Sequence, residues 1–96
     1  MTDEDSVPQH VPDKVYALAP NNLGPSLKRY IEGGVPLGGF MTAVMANDLM
    51  EAVGRADEVN IGILNEICSW VYSYAPRGCH GSYDAVGNWK PKGEKQ

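Results

Sequence analysis

Between Glu58 and Tyr74 apolar residues recur at helical spacing along two adjacent stripes: Ile61, Leu64, Cys68, Val71 and Ala75 on one, Ile63, Ile67, Trp70 and Tyr74 beside it. Spacings of three and four residues place such positions on one side of a helix. Two stripes side by side make a face too wide for a helix lying on a surface. The segment therefore predicts either the central helix of a core or part of a subunit interface. The chain has 96 residues, the size of one small domain and well below the roughly 200 residues of a barrel enzyme. A long apolar helix in so short a chain has to be wrapped by short elements or by another copy of the chain. The expectation is an all-α fold, a compact bundle of four or five short helices with a long central helix, assembled as a homo-oligomer.

The flanking segments carry their own punctuation. Leu23, Leu27, Tyr30 and Ile31 share one side of a helix beginning after Asn22, with Pro25 in its first turn, where a missing N–H costs nothing. Gly33-Gly34 can close it, and Val35-Pro36 cannot readily continue it. Met41, Met45, Leu49 and Val53 recur at intervals of four, while Asn47-Asp48 ahead of Glu51 resembles a capping box. That stretch reads as one kinked helix or two short ones meeting at Asn47, ended by Gly54. Asp57 is placed to cap the long helix, and Ser82 a last short one reaching Trp89. The short apolar alternation of Asp13 to Leu18 predicts a minor strand or a docking segment. The organisation expected is a flexible acidic arm (1–12), a single helical domain (13–89) and a flexible basic tail (90–96).

Charge narrows the possible partners. The net charge is −4 and the sequence pI about 4.9, with Asp3, Glu4, Asp5 and Asp13 in the arm and Lys90, Lys92 and Lys95 in the tail. Duplex nucleic acid binding needs a dense basic footprint to displace counterions, which this chain lacks. A small phosphorylated ligand remains compatible. Two cysteines are too few for a disulfide scaffold, and no basic start followed by an apolar stretch marks a secretory signal. No apolar run is long enough to cross a bilayer. Reduced thiols in a cytoplasm, and no membrane partner, are the expectation.

Few constellations suggest chemistry. Cys79-His80 pairs a thiol with a base, yet adjacent residues rarely address one reacting atom, and Cys68 and His10 complete no zinc spacing. A structural cysteine beside a surface histidine is the competing reading, and Cys68, midway along a stripe, reads as core. Gly33-Gly34 and Gly38-Gly39 serve either as turns with close helix packing or as an anion nest, without the Lys-Ser/Thr of a P-loop. Lys28 and Arg29 supply the densest positive charge before the tail. Arg55 and Asp57 flank a helix junction, where pairing or capping accounts for them. Trp70, Tyr72, Tyr74, Tyr83 and Trp89 gather late in the chain around Arg77. They suit core or interface packing, or a pocket in which aromatic faces stack on a base and arginine meets phosphate. The candidate ligand-binding residues are Lys28, Arg29, Arg55, Trp70, Tyr72, Tyr74, Arg77 and His80. No catalytic residue, metal ligand or cofactor is assigned.

Longer patterns carry a resemblance. The run Lys28-Arg29-Tyr30-Ile31-Glu32-Gly33-Gly34-Val35-Pro36-Leu37-Gly38-Gly39-Phe40 is followed by Ala43-Val44, Asn47-Asp48-Leu49, Gly54-Arg55-Ala56-Asp57 and Asn60. Ala75-Pro76, Cys79, Gly81-Ser82 and Trp89 complete it. It resembles a group of small accessory proteins of tailed bacteriophages, from the first helix to Trp89; there an aromatic residue usually follows the cysteine, where this chain has His80. The resemblance implies no activity. It implies a noncatalytic binding protein that antagonises host defence in the host cytoplasm. One form is a homo-oligomer sequestering a nucleotide-derived immune signal, with Arg29, Arg55 or Arg77 on phosphate and Trp70, Tyr72 or Tyr74 on the base. The other is a protein–protein inhibitor of a host defence enzyme or complex. A small hydrolase using Cys79, His80 or Asp48 comes last, because no nucleophile–base–orienter set is legible.

Overall fold

A computed structural model describes residues 11–90; residues 1–10 of the arm and 91–96 of the tail lie outside the described residues. Every regular element among the described residues is helical, in more and shorter pieces than the sequence predicts. These are α1 (Asp13–Tyr16), a 3-10 turn (Pro20–Asn22), α2 (Gly24–Gly33), α3 (Gly39–Met45), α4 (Leu49–Arg55), α5 (Glu58–Gly62), α6 (Leu64–Tyr74) and α7 (Tyr83–Gly87).

Local signals set most boundaries. Asp48 accepts from the Glu51 amide, Asp57 from the Asn60 amide and Ser82 from the Ala85 amide, so all three expected caps form. Gly34 ends α2 in the left-handed conformation (φ 72°), where its amide and that of Val35 reach back to the Tyr30 and Arg29 carbonyls. Asn47 adopts φ 64° and separates α3 from α4, which resolves the Asn47 alternatives in favour of two helices. The break also rotates the apolar series out of phase: Met41 and Met45 are buried, whereas Leu49 and Val53 are exposed. Asp13 to Tyr16 is a helical turn rather than a strand, because the Val15 and Ala17 amides bond to the Pro12 and Asp13 carbonyls.

The expected single helix from Glu58 to Tyr74 is two. Asn60 and Gly62 are weak helix formers, and the Ile63 amide turns to the Asn60 carbonyl (3.2 Å) three residues back, with Ile63 at φ −122°. The resulting change of direction leaves α6 burying Ile67, Trp70 and Val71, with Ala75 just beyond it. Ile61 is exposed, and Cys68 is exposed rather than in the core.

The interior is closed by hydrogen bonds between distant parts of the chain. The Trp70 indole N–H donates to the Val15 carbonyl (2.9 Å), the Tyr30 hydroxyl to the Cys79 carbonyl (2.7 Å) and the Trp89 indole N–H to the Ile31 carbonyl (3.0 Å). Leu27, Met45 and Ile67 are fully buried around them, each contributing roughly 1.5–3 kcal/mol by leaving water. Val11 is also in the core, so packing begins inside what the sequence assigns to the arm. α1 seats closely on α2 because Gly24 has no side chain: a Cβ there would lie 2.3 Å from the Tyr16 carbonyl oxygen.

Candidate functional site

A cleft of about 400 Å³ opens between α2, the loop 34–38 and the first turn of α3. Its apolar walls come from Leu23, Val35, Pro36, Leu37, Phe40 and Met41, and its polar groups from Ser26, Arg29 and Asn60. Helical phase explains the first side. Leu27, Tyr30 and Ile31 turn inward on α2, which leaves Arg29 exposed. The only partner of the Arg29 side chain among the described residues is the hydroxyl of Ser26, one turn earlier, at 3.2 Å; no carboxylate of those residues pairs with it.

On the opposite rim stands Asn60 of α5. Asn60 accepts from the Asn21 side-chain amide at 3.1 Å. That bond orients the Asn60 amide and leaves its own N–H groups without a protein acceptor among the described residues. Arg55 is paired with Glu51 through Nε, while its guanidinium rests on Gly39: a Cβ there would lie 2.9 Å from Nη1. The glycine in the Gly38-Gly39 pair thus admits a cation to the edge of the cleft. The arrangement offers a guanidinium fork and an amide to an anion, with an aromatic and aliphatic wall for the body of the molecule carrying it. Among the described residues, Ser26 is the only nucleophilic side chain lining the cleft, and no histidine, carboxylate or lysine lines it.

A second cleft, also about 400 Å³, lies between the end of α3, α6 and residues 80–81. Val44, Met45 and Val71 form its floor, with Asn47, Cys68, Tyr72, His80 and Gly81 around it. The Gly81 amide donates to the Met45 carbonyl at 2.6 Å and ties this rim to α3. Burial holds the His80 imidazole below its ordinary pKa and the Cys68 thiol above its own, so both present as neutral groups near pH 7.

The eight residues singled out from sequence therefore do not converge on one pocket. Arg29 lines the first cleft, with Arg55 at its edge; Tyr72 and His80 line the second. Trp70 is a core residue, stacked on Tyr16 (6.0 Å between ring centroids) and tilted against Tyr74 (5.8 Å). Lys28 pairs with Asp13 at 2.9 Å on the surface between α2 and α1, and Arg77 is exposed in the turn after Pro76. Cys79 is fully buried and its thiol is pushed up to about 12, chiefly by desolvation. It is therefore a protonated core group beside His80, unsuited to nucleophilic attack. Phe40 and Asn60 were not among the sequence candidates. Asn60 is tied to the turn ahead of α2 by the Asn21–Asn60 bond across 39 positions, which no local spacing encodes. Comparison with protein-family models, curated proteins and solved structures returns no match for this chain.

Proposed function

We propose that this protein is a noncatalytic binding protein that captures a small anionic ligand with a flat apolar body, of nucleotide type, in the cleft between α2 and α3. The observation carrying this reading is the Arg29 guanidinium, which borders an apolar-walled cleft beside the Asn60 amide donors and is paired with no carboxylate among the described residues. Set beside the phage resemblance, a cleft with a cation and an apolar wall supports sequestration of a nucleotide-derived defence signal in the host cytoplasm. Leu49, Met50, Val53, Val59 and Ile61 on α4 and α5 are exposed, apolar surface of the sort that a homo-oligomer covers.

Thermal-shift measurement against a panel of linear and cyclic nucleotides tests the reading. A ligand at a hundred times its Kd stabilises by about 2.7 kcal/mol, or roughly 10–20 °C in a domain this size. Sequestration requires that shift, loss of it in Arg29→Ala, and unchanged ligand recovered after denaturation. A panel without any shift removes the reading. The same exposed apolar surface favours a second reading, inhibition of a host defence protein. It predicts a single copy in solution by light scattering and a stoichiometric host partner on pull-down; a ligand-binding oligomer without such a partner would exclude it.

A further inference from the structure

The cleft between α3 and α6 differs in chemistry from the one beside Arg29. Among the described residues no charged side chain lines it, although more than a fifth of the chain is charged. Desolvating a net charge against Val44, Met45 and Val71 would cost more than any lining group returns. What the lining offers is a set of neutral hydrogen-bonding groups above an apolar floor. The Asn47 amide supplies two donors and an acceptor, and the neutral His80 imidazole supplies one of each. Tyr72 adds an aromatic ring that is 88% exposed and makes no ring contact with another aromatic among the described residues. The rim is fixed by the backbone: the Gly81 N–H donates to the Met45 carbonyl, and the Asn47 main-chain N–H to the Val44 carbonyl at 3.0 Å.

We propose that this cleft binds an uncharged planar nitrogen heterocycle of nucleobase type, its polar edge bonded by Asn47 and His80 and its face covered by Tyr72. A purely hydrocarbon ring would leave the Asn47 and His80 polar groups unpaired against the apolar floor, a penalty the heterocycle avoids. A phosphorylated group finds no cation there among the described residues. The site is separate from the Arg29 cleft, and the inference does not rest on the function proposed for that cleft.

The test uses the full chain, adenosine, guanosine, cytidine and uridine as probes, and amide-resolved NMR titration. Toluene serves as the hydrocarbon control. At least one nucleoside is expected to shift the Asn47, Tyr72 and Gly81 resonances saturably. Asn47→Gly keeps the left-handed backbone while removing the side-chain amide, and Tyr72→Ala removes an exposed ring, so neither threatens the fold. Each is expected to weaken binding by about tenfold, the effect of losing one stacked ring or one good edge contact. Arg29→Ala is expected to leave nucleoside binding unchanged, whatever it does to nucleotides. Absence of saturable shifts for all four nucleosides, toluene binding as tightly as any of them, or insensitivity to both cleft variants would each overturn the proposal. Loss of nucleoside binding in Arg29→Ala would overturn it too, by placing the ring in the other cleft.

Discussion

Replacing Gly24 by alanine places a methyl group where α1 meets α2. The new Cβ would lie 2.3 Å from the Tyr16 carbonyl oxygen and 3.0 Å from its carbonyl carbon. Both atoms are backbone, so no rotamer change relieves the contact, and α1 has to lift from α2. A stiffer unfolded chain favours alanine by about 0.4–1 kcal/mol, but the helix-propensity gain of an interior position is not available to a residue opening α2 directly ahead of Pro25, where a Cβ disfavours the helical conformation. Forced overpacking typically costs about 1–3 kcal/mol, and more where backbone has to move. Displacement also loosens the Tyr16–Trp70 stack and the bond from Trp70 to Val15, so the clash prevails. The expected result is a net loss of about 2 kcal/mol, or a fall in Tm of roughly 8–16 °C. Gly54→Ala is the matched control, since nothing lies within 4 Å of its added Cβ; it should gain up to about 1 kcal/mol. Urea unfolding followed by circular dichroism measures both. A Gly24→Ala protein as stable as the parent would refute the close packing of α1 on α2.

Four further outcomes follow from the same geometry. Trp70→Phe keeps an aromatic ring but removes the donor to the Val15 carbonyl, and should cost about 1–3 kcal/mol in urea unfolding; no loss would mean that the carbonyl finds another donor. At pH 8, iodoacetamide should label Cys68 in the folded protein and both cysteines only after denaturation, because Cys79 is buried. The Cys79 thiol is raised from 9.0 to about 12 by folding, so its contribution to stability is complete below pH 9 and fades as pH rises towards 12; a Cys79→Ala protein with the same alkaline profile would contradict this. Folding lowers the His80 pKa from 6.5 by burial, so the neutral imidazole's contribution is present above that pH and declines as acid protonates it. The urea midpoint should therefore drop less between pH 7 and 5 in His80→Gln than in the parent, and equal drops would dismiss the assignment.

The reach of sequence reasoning followed the range of the interactions. Asp48, Asp57 and Ser82 cap as expected because a cap joins residues three apart. Ile63 was misread because apolar periodicity continues through it, while the bend reflects the weak helix formers Asn60 and Gly62. Cys68 keeps its helical spacing yet faces water, since the bend selects which stripe of α6 is buried. In the candidate site Arg29 was visible as a cation opposite an apolar helix face. The division of the aromatic group was not: Trp70 packs on Tyr16, 54 positions away, whereas Tyr72, two residues later, stands in solvent. Which of the two is available to a ligand is settled only by tertiary packing.

The bonds from Trp89 to Ile31 and from Tyr30 to the Cys79 carbonyl also bear on when this chain can fold. They join positions 58 and 49 residues apart, so the carbonyl end of α2 waits for segments made much later. During synthesis, a nascent chain that has reached only α6 holds Leu27 and Ile31 without their final cover and Tyr30 without its acceptor. Native closure is deferred until Trp89 has left the ribosome, and the protein would fold in one late step instead of helix by helix as it emerges.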